Sequence, residues 1–376
     1  MSMRNSSLLA LLGALAAWAQ TPQPASSVKI NFPADSPVAL LSADWGESRT
    51  EARSGALLLD LHTSLSLRNA TQARIRGVTL LVQAQETTPG GKASVAVPSM
   101  DVGPGESFPI RVDLRLLRPM FGGGALAEIS LDGVLFDDLS FYGPNRLNSR
   151  RAMTVWELEA RQDRRYFKSV LEARGPEGVQ QEALAVLQRL ADRPQLDVRV
   201  IPQGRATASA APERSVAVAF LELPGAPIQA LSGLARVSGG EARAPRIEVV
   251  NRSPRPVHYF EIGWIVRDRQ GREFLAGSVP AADAALRLPP GARNQVAEGA
   301  ALRFSSSAGQ PVDIQSVTAF VSQVEFTDGT IWIPPHASLD APRLRAVLAP
   351  SPEQQRLADL YRKKGLAALV AELKKF

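Results

Sequence analysis

Three histidines, His62, His258 and His336, and not one cysteine make up the soft-ligand chemistry of this 376-residue chain. A zinc centre needs three or four clustered nitrogen or sulfur ligands, and neither an HExxH helix nor any paired-histidine spacing occurs. The histidines stand isolated in sequence, and His62 falls on the polar row of its strand. No metal centre and no cofactor is therefore expected, with only an all-oxygen calcium site in loops left open. Cysteine catalysis is impossible, and the G-x-S-x-G elbow of a serine nucleophile is missing. Gly122-Gly123-Gly124 has no following lysine and no strand-to-helix setting, so it reads as a loop after Arg118-Pro119 rather than a phosphate cradle.

Paired carboxylates are the remaining catalytic option, offered by Asp137 with Asp138 and by Glu157 with Glu159. Adjacent residues on a strand point to opposite faces, and residues two apart on a helix diverge by about 200°. Neither pair can flank one bond, and all four carboxylates are expected to be solvated. The densest polar and aromatic stretch holds Tyr142, Asn145, Arg146, Arg150, Arg151, Trp156, Arg164 and Arg165. Arginines interleaved with aromatics can hold carboxylate, phosphate or sugar groups, which makes these eight the candidate binding residues. The competing reading is a joint between a domain and a helix, fixed by salt bridges and cation–π contacts, because the charges nearly balance along the helix.

These residues sit between two stretches of strict alternation. From Leu57 to Leu67 the odd positions carry Leu57, Leu59, Leu61, Thr63, Leu65 and Leu67, while Asp60, His62, Ser64 and Ser66 lie between them. A two-residue period sends one row inward and the other to water, the mark of a half-buried antiparallel strand. The pattern recurs at Phe108, Ile110, Val112, Leu114 and Leu116. The two halves also echo each other in order. Asn69-Ala-Thr leads to Ile75 and Asn251-Arg-Ser leads to Val257, six residues on in both. Pro104-Gly105 and Pro290-Gly291 follow, then Phe136-Asp-Asp138 and Phe326-Thr-Asp328. Asparagine at a strand end bonds its own backbone and Pro-Gly presets a turn, so these are folding devices, and the two Asn-x-Ser/Thr triplets need no glycan to explain them.

Short strands between turn signals, at about 120 residues per half, suggest a β-sandwich in each. On the Asn, Pro-Gly and Phe-x-Asp order, Val38 to Pro144 and Val216 to Pro335 resemble the immunoglobulin-like modules of exported bacterial proteins. That resemblance implies a buried tryptophan, a place Trp264 would take, without the disulfide that accompanies it in antibody domains.

Between the halves the period becomes helical. Arg151–Ala173 puts Met153, Trp156, Ala160, Phe167, Val170 and Leu171 on one face, with Glu157 and Arg161 paired at i,i+4 on the other. Gly175-Pro176 breaks this helix before a second over Glu177–Ala191. A capped start at Ser351-Pro352-Glu353-Gln354 opens a C-terminal amphipathic helix that Gly365 bends. Residues 203–212 read as a flexible loop.

Arg4, an apolar run over Leu8–Ala17 and small residues at Ala17 and Ala19 match a cleavable signal peptide over residues 1–19. The run is about half of a bilayer crossing, so no membrane span is expected after cleavage, and a retained anchor is the alternative. The expected layout is a β-sandwich over 20–150, a helical linker over 151–194, a second sandwich over 195–345 and the C-terminal helix over 346–376. The formal charge of +6 is spread among 43 basic and 37 acidic residues, too thin a surplus for a nucleic-acid partner. The expectation is an exported, periplasmic or secreted, non-enzymatic binding or scaffold protein, with an unknown protein or envelope glycan as partner. The alternative is an enzyme acting on cell-envelope polysaccharide at the joint between helix and sandwich.

Overall fold

The computed structural model describes residues 28–53, 55–85, 90–120, 124–192, 196–201, 212–280, 286–297, 301–306 and 312–376. The expected signal segment 1–19, Gly122 with Gly123, and loop residues 203–211 lie outside the described residues. The chain is mainly β, with helices between and after its strand-rich regions. It divides into two compact units: residues 1–72, 79–95 and 104–132 form one, and residues 73–78, 96–103 and 133–376 the other. The helices therefore fall in the same unit as the second strand-rich region.

The first region runs β1 (Val28–Asn31), β2 (Val38–Asp44), β3 (Arg49–Arg53), β4 (Ala56–Asn69), β5 (Ile75–Gln83), β6 (Lys92–Val97), β7 (Ser107–Pro119), β8 (Ala127–Phe136) and β9 (Phe141–Tyr142). One sheet has the order β1-β8-β5-β6 with β9 on β8, and a second has β2-β4-β3 with β7 on β4. The alternation sets the register of β4 against β7. Leu59 faces Leu116, Leu61 faces Leu114, Thr63 faces Val112, Leu65 faces Ile110 and Leu67 faces Phe108. Leu59, Leu61, Leu65 and Leu67 are buried, and His62 is exposed opposite Asp113. A one-residue slip would turn this whole apolar row to water.

The second region runs β10 (Leu196–Ile201), β11 (Arg214–Phe220), β12 (Ile228–Ser238), β13 (Glu241–Asn251), β14 (Val257–Asp268), β15 (Glu273–Pro280), β16 (Arg293–Ala297), β17 (Ala301–Ser306), β18 (Ile314–Phe326) and β19 (Ile331–Trp332). Here β11 serves two neighbours, pairing antiparallel with β12 through Arg214–Ala217 and parallel with β18 through Val218–Phe220. Ile247 and Val249 of β13, Phe304 of β17, Phe260, Ile262 and Trp264 of β14, and Val317 and Ala319 of β18 share one core.

The same pairings occur in both regions. β1 runs parallel to β8 as β11 does to β18, and β2 pairs antiparallel with β4 as β12 does with β13. The asparagine turns match bond for bond. Asn69 Oδ1 accepts from the Thr71 N–H at 3.0 Å and hydroxyl at 2.8 Å; Asn251 Oδ1 accepts from the Ser253 N–H at 2.9 Å and hydroxyl at 2.8 Å. The Gly105 N–H donates to Asn69 O and the Gly291 N–H to Asn251 O. Both asparagines are buried, which leaves neither amide available to a glycan.

The helices are α1 (Ser149–Asp192), α2 (His336–Leu339), α3 (Pro342–Val347) and α4 (Pro352–Leu373). Both long ones are broken at a glycine, Gly175 with φ 68° and Gly365 with φ 80°, a conformation that side chains resist. The break in α4 exceeds a bend. Arg356 and Glu372 meet at 2.8 Å, whereas sixteen residues of unbroken helix would span about 24 Å. The arms fold back on each other. Phe167, Val170, Val179, Ala183 and Val186 of α1 then pack with Leu357, Ala358, Leu369 and Leu373 of α4. The apolar face of the C-terminal helix is thus covered by α1.

Candidate functional site

A site in the second unit begins with strands β14 and β18, whose side chains alternate between two covered faces. Phe260, Ile262 and Trp264 enter the sheet core, while Ile265 and Phe320 face outward against Leu344 and Val347 of α3. Gly263 stands opposite Phe320 in the register, and a Cβ there would come within 2.4 Å of the Phe320 ring. The bare backbone lets that ring lie across the strand. Around it, α1, α2, the start of α4 and the outer face of the sheet enclose a cavity of about 240 Å³.

The cavity has two kinds of wall. Leu275, Phe320, Leu339 and Leu348 are apolar, whereas Glu159, Gln162, Asp163, Arg189, His336, Asp340, Ser351 and Gln354 are polar. Glu159, Gln162 and Asp163 share one face of α1 through their i, i+3, i+4 spacing. Ser351 caps α4 by accepting the Gln354 N–H at 3.1 Å, and its hydroxyl donates to Asp163. The Gln354 side-chain amide donates to Asp163 Oδ1 at 2.8 Å, and its oxygen accepts from Arg189 Nη2 at 2.9 Å. His336 Nε2 lies 3.4 Å from Asp163 Oδ1, with its ring stacked on Tyr166 at 4.2 Å.

This order of contacts is not a hydrolase triad, in which histidine must bridge serine and carboxylate to take the hydroxyl proton. Here Asp163 is the hub and Ser351 donates to it. Burial raises the Asp163 carboxyl, although the Ser351, Gln354 and His336 contacts pull the other way. Burial, reinforced by the charge of Asp163, pushes Glu159 up to about 7. No described residue gives Glu159 a hydrogen bond or ion pair. The buried Nε of Arg189 also lacks a partner.

Two sequence expectations change at this point. Glu157 and Glu159 are not solvated: Glu157 is 1% exposed and Glu159 is half-buried against the cavity. They diverge around the helix as the geometry requires: Glu157 accepts from Arg161 at 2.9 Å and Arg164 at 2.7 Å on its own helix, and Glu159 faces the cavity. The histidines are not all isolated either, since His336 approaches Asp163 across 173 positions of sequence, a proximity the linear spacing could not show. Asp137 and Asp138 are exposed, in the turn after β8.

None of the eight residues read as a binding surface lines the cavity. Tyr142 pairs with Val134 in β9, and Asn145 Oδ1 accepts the Arg150 N–H at 3.0 Å. Arg146, Arg150 and Arg165 are exposed and Trp156 is half-buried, with the Arg150 guanidinium close to Gly329 and Arg165 Nε donating to Arg161 O at 3.2 Å. Arg151 lies 3.4 Å over the Tyr259 ring and pairs with Glu325. Arg164 belongs to a row of alternating charge that is buried from Glu157 to Glu353 and partly exposed beyond it. It donates to Glu157 at 2.7 Å and lies 3.7 Å from Glu353, which accepts from Arg356 at 2.8 Å, and Arg356 continues to Glu372. Glu353 is fully buried. Burial works against the charge on Glu372, yet Lys375 and Arg356 hold its carboxyl below the usual range.

No family model matches the sequence, and no curated protein matches it. Among solved structures, the chain aligns with the Se-Met-labelled β-glucosidase from Kluyveromyces marxianus at 9% identity and a TM-score of 0.16, over 71% of this chain and 45% of that one. Red sea bream transglutaminase aligns at 9% identity and a TM-score of 0.12, over 76% of this chain and 31% of that one. The chain therefore spans less than half the length of either enzyme. At such scores the likeness carries no argument about fold or activity.

Proposed function

We propose that this chain is an exported, non-enzymatic binding protein of the bacterial cell envelope. Its ligand-binding element is the cavity between α1, α2, α4 and the outer face of β14 and β18. The observation that carries the reading is that half-enclosed cavity of about 240 Å³, apolar at one end and lined by convergent polar groups at the other. The matching strand pairings and asparagine turns support two immunoglobulin-like modules that form the scaffold. The signal-like N-terminus supports export.

The test screens the exported protein against neutral, anionic and cationic small molecules by thermal shift. A ligand-dependent rise in Tm that Leu275→Trp abolishes, with its far-UV circular dichroism unchanged, supports the reading. A flat screen counts against the cavity, and mature protein retained in the cytosol counts against export.

A second reading, an enzyme acting on envelope polysaccharide, draws support from Glu159, whose carboxyl near 7 suits a general acid. Turnover of envelope glycans that Glu159→Gln removes would favour it over binding alone.

A further inference from the structure

We propose that the cavity takes a small amphiphilic cation, a primary amine whose ammonium group rests against Glu159 and whose alkyl body lies over Phe320, Leu275, Leu339 and Leu348. The inference rests on the reading of this cavity as a binding site and adds the ligand's chemistry.

The argument is one of unmatched charge. Around the polar end, Asp163 is occupied by Ser351, Gln354 and His336, and Asp340 pairs with Arg345 at 3.1 Å. Arg189 is held by the Gln354 oxygen at 2.9 Å. Glu159 alone among the acids has no counter-group among the described residues. The Glu159 carboxyl faces the half-open cavity without a counter-charge, and an ammonium seated there supplies that charge together with a strong hydrogen bond. An anion would meet three carboxyls against the single guanidinium of Arg189 and the imidazole of His336. A neutral polar ligand could donate a hydrogen bond to Glu159 but would leave its charge without a counter-ion. The strand side is free of charge, since β14, β15 and β18 contribute Gly263, Leu275, Gly277, Phe320 and Ser322. It gives an alkyl chain an apolar floor. The volume is below the roughly 300–1,000 Å³ of sites for drug-sized ligands, so the cation is small.

Protons enter the binding equilibrium. The titratable or charged groups that line the cavity with Glu159 are Asp163 and Arg189 from α1, His336 from α2 and Asp340 just after it; the start of α4 contributes Ser351 and Gln354, with Glu353 behind them acting on Asp163. With Glu159 near 7, an ammonium ligand must displace its proton at pH 6 and finds it already ionised at pH 8.

Calorimetric titration of the full chain with n-butylammonium, n-butanol and butyrate at pH 6 and pH 8 tests this. The expected result is saturable binding of the amine alone, with an association constant about tenfold higher at pH 8 and proton release at pH 6. Glu159→Gln removes the binding while circular dichroism stays unchanged. Equal or better binding of butanol or butyrate overturns the cation and leaves the cavity reading standing. No binding of any probe overturns both. Amine binding that survives Glu159→Gln, or that is independent of pH, overturns the assignment to Glu159.

Discussion

Replacing Glu159 with glutamine removes a titration that the fold distorts, and the consequence for stability has a definite sign. In the folded chain, burial and then the charge of Asp163 raise the carboxyl from an ordinary 4.5 to about 7. A raised carboxyl pKa means that the folded state holds its proton more tightly than the unfolded chain does. Between about pH 4.5 and 7, stability therefore falls as pH rises, and above 7 the whole penalty is present. A gap of about 2.5 units, at about 1.36 kcal/mol per unit, makes that penalty about 3 kcal/mol at pH 8. Glutamine carries no such term. Asp163 is shifted in the same direction and its charge acts on Glu159, so the difference between the two proteins reports position 159 together with its interaction with Asp163. Urea unfolding followed at 222 nm is the assay, because every described helix lies in one unit and reports its transition. The variant should gain about 3 kcal/mol over the parent protein between pH 4.5 and pH 8. Stability profiles that run parallel across this range refute the reasoning.

Trp264→Ala should cost about 3–5 kcal/mol by chemical denaturation, because its ring fills the core shared by β13, β14 and β18; a loss under about 1 kcal/mol would show that the core collapses around the gap. Glu353→Ala should cost about 1.5–3 kcal/mol, because it takes a fully buried carboxylate from Arg356 and Arg164 but leaves them Glu372 and Glu157; thermal unfolding tests it, and an unchanged Tm would contradict the ion pairing. Asn251→Ala should cost about 1–3 kcal/mol, since its side-chain amide donates to Arg255 O at 2.8 Å and Leu288 O at 2.9 Å; accelerated hydrogen exchange at Ser253 and Gly291 would localise the damage.

Local structure was legible wherever its cause was local. The row from Leu57 to Leu67 sets the β4–β7 register, Asn69 and Asn251 make the turns their type and position imply, and Ser351 caps α4 as its neighbours suggest. Gly365 marked a change of direction, but its extent depended on Arg356 finding Glu372 and on the apolar surface of α1. The cavity was not legible. Glu159 and Asp163 come from one helix, but His336, Ser351 and Gln354 arrive from the other side of the whole second strand region. Gly263 matters only because a phenylalanine 57 residues later needs its space. Spacing arguments set each carboxylate against another carboxylate, whereas Glu157 is held by Arg161 and Arg164 and Glu159 faces groups brought in by α2 and the start of α4. The arginine-rich stretch misled for the same reason: Arg151 and Arg164 already have partners in Glu325, Glu157 and Glu353, two of them from far along the chain.

The row of alternating charge from Glu157 to Glu372 ties the last turns of the chain to the helix that follows the first strand region. Its buried members, Glu157, Arg164 and Glu353, resist molar salt, whereas Arg356, 30% exposed, stays within reach of screening. The row does not survive loss of a member. A premature stop or a proteolytic cut just before Pro352 would spare every strand, yet it would strip Arg164 of Glu353, uncover Phe167 and Val179, and take Ser351's downstream partner Gln354 away from Asp163. The final 25 residues thus act as the clasp of the helical unit, and trimming them should open the cavity.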